Sequence, residues 1–179
     1  MKTVGIFLLF IGIMLGCAPV KTKTHFDDKF DFSSYKTFCW LSGCEFVYEG
    51  PQRYNDSLAI DKIRHAVIQE LLSKGLTQDE NNPDILIDFH IIIEEKTNII
   101  THRAQYEDER GYAWYPPSYE VYNYLKGSLI IDMIDNSQSR MVWRSHSVGY
   151  LEAFPVITDQ QIERSVREAL KDFPPVFNN

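Results

Sequence analysis

The sequence has few of the features that mark the common functional classes. Only three of its 179 residues are cysteines. No apolar run reaches the ~20 residues that a membrane-spanning helix needs. No block of consecutive lysines and arginines occurs, and 18 basic residues stand against 25 acidic ones, for a formal charge of −7. Without a basic surface the chain has nothing to attract a phosphate backbone, so we expect no nucleic-acid partner.

Sequence motifs typical of enzymes are also missing. No glycine-rich pattern for phosphates or dinucleotides occurs. Neither Ser33-Ser34 nor Ser145-His146-Ser147 has the strand–turn–helix context of a nucleophilic serine. Adjacent acids such as Glu94-Glu95 are expected to be solvated, because no cleft is implied that would shift their pKa values. The sequence therefore identifies no reaction and no catalytic residue.

The N-terminal segment is unlike the rest of the chain. Lys2 precedes an apolar run over residues 4–15, which has the length of the hydrophobic region of a secretion signal. The run ends in Leu15-Gly16-Cys17, which resembles the lipobox of bacterial lipoproteins. That resemblance implies cleavage before Cys17 and attachment of diacylglycerol and an N-acyl chain to it. An ordinary secretory signal and an uncleaved anchor are the alternatives.

This interpretation divides the chain into three parts. Residues 1–16 are a signal peptide, 17–24 a lipidated tether and 25–179 a single domain. Several acyl chains on one residue anchor a protein stably, so the membrane is the first expected partner. Ala18, rather than aspartate, follows Cys17, which favours the outer membrane in proteobacterial sorting. We expect an outer-membrane lipoprotein that faces the periplasm and holds no cofactor besides its lipid.

The two other cysteines, Cys39 and Cys44, are separated by a segment with Ser42-Gly43, which suggests a turn. In an oxidising periplasm they can form a disulfide across that turn. Two separate buried thiols are the alternative. A redox pair or a zinc site would need a Cys-x-x-Cys motif or four ligands, and neither pattern is visible.

The rest of the chain predicts an α/β (α+β) domain. Apolar residues recur with helical spacing at 56–74 and 158–172, where Thr158 and Gln161 match a capping box. Alternating or β-branched segments predict strands at 30–40, 84–96, 127–134 and 141–150. The order β-α-β-β-β-α favours a right-handed crossover followed by a hairpin. We expect a two-layer sandwich with a mixed sheet and both amphipathic helices on one face.

Several of these segments, in this order, resemble the domain-of-unknown-function-4136 family of bacterial lipoproteins. The segments that carry the resemblance are 32–40, 74–76, 83–86, 126–135, 141–144 and 173–175. The resemblance implies a lipid-anchored envelope domain of mixed α/β fold. The family has no established activity, so it implies no catalytic residue.

An aromatic segment at 104–124 is the least ordinary part of the chain. Its candidate binding residues are Tyr106, Tyr112, Trp114, Tyr115 and Tyr119, which lie among glycine and prolines. Aromatic residues offer large contact areas, so the segment can be a binding surface for an envelope protein or a glycan. The preferred interpretation is a loop that folds back over the second sheet face, with Tyr122 and Tyr124 leading into the next strand.

Polar residues on the predicted strands allow one further hypothesis. His90, Asp132 and His146 are suitable metal ligands and can share a sheet face, although solvated face residues are the simpler interpretation. The sequence therefore favours a non-enzymatic binding or assembly module in the periplasm. A small envelope hydrolase or metal-dependent enzyme that uses this polar face is the alternative.

Overall fold

The computed structural model describes residues 20–41, 47–102, 105–107, 113–153, 155 and 157–175, with the backbone alone at 105–107 and 113–115. The strands are β1 Lys21–Phe26, β2 Thr37–Trp40, β3 Val47–Glu49, β4 Thr77–Gln78, β5 Ile85–His102, β6 Gln105–Glu107, β7 Ala113–Tyr115, β8 Ser118–Asp135 and β9 Arg140–Glu152. The helices are α1 Ser57–Ser73 and α2 Asp159–Leu170. No helix within these ranges is long and apolar enough to span a bilayer.

Seven of the strands form one mixed sheet. Its order is β1-β9-β8-β5-β2-β4, and β3 lies beside β5 further along that strand. The strands β2 and β3 run parallel to β5. On the other side of β5 all pairings are antiparallel: β8 with β5, β9 with β8 and β1 with β9. The short strands β6 and β7 pair with each other in a separate two-stranded sheet. The predicted mixed α+β architecture is confirmed.

Both helices begin at the predicted capping residues. The Asp56 side chain accepts a hydrogen bond from the N–H of Leu58 at 2.9 Å and so caps α1. Gly75 follows α1 with φ of +89°, a conformation that glycine adopts without steric cost. Thr158 and Gln161 form the predicted capping box at α2, where each side chain accepts from the other residue's backbone N–H.

The core lies between the helices and one face of the sheet. Its larger members include Phe32, Phe38, Val67, Leu71, Ile85, Ile87, Phe89, Ile131, Met133, Trp143, Ile162, Val166, Leu170 and Phe173. The sheet contributes residues at every second position, such as Ile87 and its cross-strand partner Met133. Each fully buried side chain of this size contributes about 1.5–3 kcal/mol. Both helices bury their apolar stripes here, as expected for two layers.

The N-terminal part differs from the expectation in two places. The predicted tether of residues 17–24 is shorter, because β1 already begins at Lys21 and pairs with β9. A polar edge strand lacks the apolar alternation that identifies strands, which is why the pattern missed it. The predicted strand at 30–40 is confined to β2, because the Asp31 side chain accepts from the N–H of Ser33 and folds Phe32–Ser34 into a 3-10 turn.

The central hairpin is longer than expected. The pairing of β5 with β8 continues without interruption from Ile85 opposite Asp135 to His102 opposite Ser118. Neighbouring strands end earlier, since β3 stops opposite Ile92 and β9 stops opposite Tyr124. Residues 93–102 and 118–127, hereafter the arm, form the far half of this hairpin. Its base is still flanked by β9, which pairs with residues 124–127, and its outer part, 97–102 and 118–123, extends beyond both β3 and β9. The C-terminal part of the predicted loop at 104–124 is thus strand, and the backbone at 105–107 and 113–115 is also extended.

Candidate functional site

The sheet face opposite the helices carries a row of charged residues. Asp88, Asp132 and Arg144 are register neighbours on β5, β8 and β9. Arg144 donates two hydrogen bonds to the Asp132 carboxylate, from Nε at 2.6 Å and from Nη2 at 2.5 Å. The Asp132 side chain is only 7% exposed. The hydrogen bonds that Arg144 donates to this carboxylate raise the pKa of Arg144 above its ordinary value.

The candidate metal ligands share this face but do not meet. His90 lies opposite Ile130, which in turn lies opposite His146, so one strand separates the two histidines. Two strand spacings amount to ~10 Å, much more than the ~2 Å of a zinc–nitrogen bond. His90 instead lies 3.1 Å from the Asp88 carboxylate, and Asp132 is held by Arg144. Among the described residues no three metal-ligating side chains form a cluster.

A second charged group lies where the arm leaves the sheet. The carboxylate of Glu94 accepts hydrogen bonds from Lys126 at 2.6 Å and from Lys96 at 2.5 Å. These bonds, first the one from Lys126 and then the one from Lys96, lower the pKa of Glu94 to about 2. The ring of Tyr124 lies 5.8 Å from that of Tyr150 on the same face. This face of the arm is therefore polar and internally paired at its base.

On the helix side, the base of the arm is polar. Glu95 pairs with Arg53, and Thr97 donates a hydrogen bond to the Asn123 side chain at 2.9 Å.

Further out, the same face of the arm is apolar and open. Ile99 pairs with Val121, and Thr101 pairs with Tyr119 one step further out. These side chains are on the helix side of the sheet, yet Ile99, Val121 and Tyr119 are 59%, 58% and 66% exposed. Five of the eleven exposed large apolar side chains in the described part lie on the arm, so the exposure is concentrated there.

The polar face of the arm alternates charge with two further apolar residues. Glu120 accepts a short hydrogen bond from the Tyr122 hydroxyl and lies 3.5 Å from His102. The bond from Tyr122, followed by the one from His102, holds the pKa of Glu120 below its ordinary value. Ile100 and Tyr122 are exposed on this face between the charges. The two faces thus differ in character: beyond Thr97 and Asn123 the helix side is mainly apolar, whereas the other face is mixed.

An apolar groove leads from the helices to the arm. It has a volume of about 670 Å³ and is open to solvent at the surface. Its floor contains Ile91, Ile93, Leu129 and the cross-strand neighbours Gly127 and Gly149. Ala59 and Ile63 of α1 form part of one wall, and Val20 stands at the rim. The groove therefore joins the first described residue of the chain to the base of the arm.

The predicted aromatic site is only partly within the described side chains. Tyr119, Tyr122 and Tyr124 all lie in β8, and the covering-loop interpretation had expected Tyr122 and Tyr124 to lead into this strand. Tyr119 is exposed on the arm. The exposure of Tyr119 and Tyr122 is opposite to what a covering role requires. The backbones of Tyr106 and Trp114 are register partners between β6 and β7, and Tyr115 lies opposite Gln105. The side chains at 105–107 and 113–115, and all of Tyr112, lie outside the description.

The cysteine predictions also fall largely outside the described residues. Cys39 is half buried on β2, but Cys44 and Cys17 are not among the described residues, so the disulfide and the lipid attachment stay predictions. The sequence interpretation missed Ile99 and Val121. The signal for them was the alternation of residues 97, 99 and 101, which continues past the point where the predicted strand was ended.

Comparison with known proteins gives a family and a fold. The model of the family described as Domain of unknown function (DUF4136) matches residues 22–175. No curated protein is significantly similar to the chain. Among solved structures, a PDZ domain protein from Parabacteroides distasonis ATCC 8503 is similar with 18% identity and a TM-score of 0.53. That match covers 91% of this chain but only 37% of the other protein, so this chain spans about a third of its length.

A second structural match covers nearly the whole of the other protein. A variant of the PelC dodecamer from Paraburkholderia phytofirmans is 8% identical, with a TM-score of 0.50, over 85% of this chain and 95% of the PelC chain. At these identities the likeness concerns the fold alone.

Proposed function

We propose, from the premise that this chain belongs to the DUF4136 family over residues 22–175, that it is a lipid-anchored, non-enzymatic binding or assembly module of the cell envelope. The family description assigns no activity, so the proposal depends on the chain's own residues. In this proposal Cys17 carries the acyl chains, the outer membrane holds the anchor, and the arm makes the contact that the module provides.

The observation that carries the proposal is the open apolar face of the arm. A two-stranded hairpin is at best marginally stable in water on its own. Here it extends beyond its neighbouring strands and presents Ile99, Val121 and Tyr119 to solvent on one face. Contiguous exposed apolar surface of this kind is typical of a contact site. The fold itself makes no use of these side chains, which supports a role in binding.

The charged face of the sheet supports a structural role better than a catalytic one. A general acid, a general base or a metal ligand needs a carboxylate or imidazole that is free to act. Both oxygens of Asp132 accept hydrogen bonds from Arg144, and one strand separates His90 from His146. These observations favour the binding module over an enzyme that uses these three residues. Assembly of several copies is compatible with the fold, since the structurally similar PelC forms a dodecamer.

The contact can be tested by labelling in isolated envelopes. A single cysteine is placed at Val121 or, as a control, at Met141, in a chain with Cys39→Ser and Cys44→Ser. Met141 is also apolar and is 45% exposed, close to the 58% of Val121, but it lies at the far end of β9. In free protein the two sites therefore react with a water-soluble maleimide at similar rates.

We expect Val121→Cys to react about tenfold more slowly than Met141→Cys in envelopes. This is the result when the arm is in contact about ten times as often as it is free, because only about a tenth of the thiols at 121 are then accessible. Equal rates at the two positions would refute a contact at the arm.

Lipidation is tested separately: wild-type protein should incorporate radioactive palmitate, and Cys17→Ser should not. Incorporation into the Cys17→Ser protein would refute the anchor.

A further inference from the structure

The N-terminus and the arm leave the sheet at the same end. Lys21 pairs with Val148 and Phe26 pairs with Trp143, so β1 runs away from the end where β9 approaches the arm. Val20, the residue before β1, therefore lies level with Gly149, Gly127 and Ile93, where the arm begins. The side chain of Val20 is also on the helix side of the sheet, because its Cγ2 is 3.8 Å from the position of a Cβ at Gly149.

The chain between the lipid attachment point and the domain is short. Two residues, Ala18 and Pro19, separate Cys17 from Val20, and the three Cα–Cα steps between them span at most ~11 Å when fully extended. From Ile93 to His102 the arm extends nine residue steps beyond the level of Val20, or ~30 Å at the usual rise of a strand. The arm is therefore much longer than the segment between Cys17 and Val20. With Cys17 anchored, the arm projects from the end of the domain that is nearest the anchor.

The two faces of the arm suit two different environments. Ile99, Val121 and Tyr119 are exposed on the helix side, the same side as Val20. On the opposite face Lys96, Lys126 and Glu94 form an ion cluster, and Glu120 pairs with His102 further out. Beyond Thr97 and Asn123 the helix side of the arm is thus mainly apolar, and the other face carries charge. An element with such faces is stable at a membrane surface, with its charges toward water. Tyrosine is enriched at that interface because its ring is apolar and its hydroxyl is polar.

We propose that the apolar face of the arm lies in the interface of the bilayer that carries the anchor, so that the protein is held to the membrane at two points. This placement rests on the proposed lipidation of Cys17. The arm's partner is then a lipid surface rather than a protein. The charges of the opposite face remain in water.

The test uses the full-length lipidated protein reconstituted in phosphatidylcholine vesicles, with the Cys39→Ser and Cys44→Ser background. An environment-sensitive fluorophore is attached at Val121→Cys or at Tyr122→Cys. These neighbouring positions are at the same height on the arm and are 58% and 49% exposed, but they lie on opposite faces. Quenching is measured with aqueous iodide and with a lipid that carries a quencher near its headgroup.

We expect iodide to quench the label at 121 several-fold less than the label at 122, and the lipid quencher to act more strongly at 121. The same pattern at Thr101→Cys, on the apolar face, would support the placement independently, should a label at 121 disturb the fold. Equal quenching of both faces would overturn it. Protection of residue 121 in native envelopes together with full iodide access in pure lipid would indicate a protein partner, which refutes this inference and leaves the proposed function standing. Failure of the protein to float with the vesicles would refute the anchor, and the membrane placement with it.

Discussion

The two halves of the β5–β8 hairpin share one register and one alternating pattern, but they have opposite surroundings. In the near half, Ile87 and its partner Met133 are completely buried. In the far half, Ile99 and its partner Val121 are 59% and 58% exposed on the same side of the same strands. Alternation therefore assigns a residue to a face, but it does not determine whether that face is covered.

Element length explains the difference. The strands β5 and β8 each have 18 residues, which at the usual strand rise extend ~60 Å. The helices α1 and α2 have 17 and 12 residues, which correspond to ~25 Å and ~18 Å. Helices of these lengths cannot cover the entire hairpin. The uncovered remainder is the outer part of the arm, so its exposure follows from the lengths of the elements.

The largest expected effect separates the two halves by stability. Ile87→Ala removes a fully buried side chain and leaves a cavity, so we expect a loss of about 3 kcal/mol in the free energy of unfolding. Ile99→Ala, the same change on the arm, should alter it by no more than about 0.5 kcal/mol. Urea denaturation of both variants measures the difference. Similar losses would show that the arm is covered in the protein, which would remove the basis for a contact site.

Much of the fold could be predicted from the sequence, because local signals agreed with tertiary packing. The sequence correctly predicted the helix caps at Asp56 and Thr158 and the apolar faces of both helices. It also predicted the turn between β8 and β9. The edge strand β1 was not, because its pairing partner is more than a hundred residues away and its own residues are polar. The length of β5 was also underestimated, since Glu94-Glu95-Lys96 interrupts the apolar pattern but not the pairing.

The candidate site was harder to predict than the fold. Residue types alone placed His90, Asp132 and His146 on one face, and the structure does place them there. Whether they meet depends on register, and the sequence does not contain the register. The salt bridge between Asp132 and Arg144 could not be anticipated for the same reason. The aromatic segment drew attention to the correct region, but the exposure of Ile99 and Val121 depends on helix length and not on their own neighbourhood.

A second prediction extends the comparison to the polar side of the hairpin. Arg144→Gln leaves the buried Asp132 carboxylate without its two charged donors and beside Asp88, so we expect a loss of about 2 kcal/mol. The contact between His102 and Glu120 on the arm is half exposed, and His102→Gln should cost at most about 0.5 kcal/mol. In a double-mutant cycle, Asp132→Asn should recover part of the loss in Arg144→Gln. An additive result would mean that the buried pair is not coupled.

A smaller effect tests the layer that covers the near half. Thr158 caps α2, and Thr158→Ala removes the acceptor for the N–H of Gln161. We expect a loss of about 1 kcal/mol in the free energy of unfolding. Thr101→Ala, on the open face of the arm, is the matched control and should change stability by less than about 0.5 kcal/mol. If the two threonine variants lose equal stability, the capping box does not hold α2 over the near half.

The smallest effect lies at the boundary between the halves, where Glu94 accepts hydrogen bonds from Lys126 and Lys96. Its pKa in the folded chain is about 2, against an ordinary value of 4.5. A carboxyl with a lowered pKa stabilises the fold above its unfolded pKa, so this contribution is complete above about pH 4.5 and is lost as the pH falls toward 2. NMR titration of the Glu94 side chain measures the folded value directly. Because the bond from Lys126 is the larger cause, Lys126→Gln should return the pKa further toward 4.5 than Lys96→Gln does. A folded pKa near 4.5 in the wild-type chain would show that the lysines at the base of the arm do not hold Glu94.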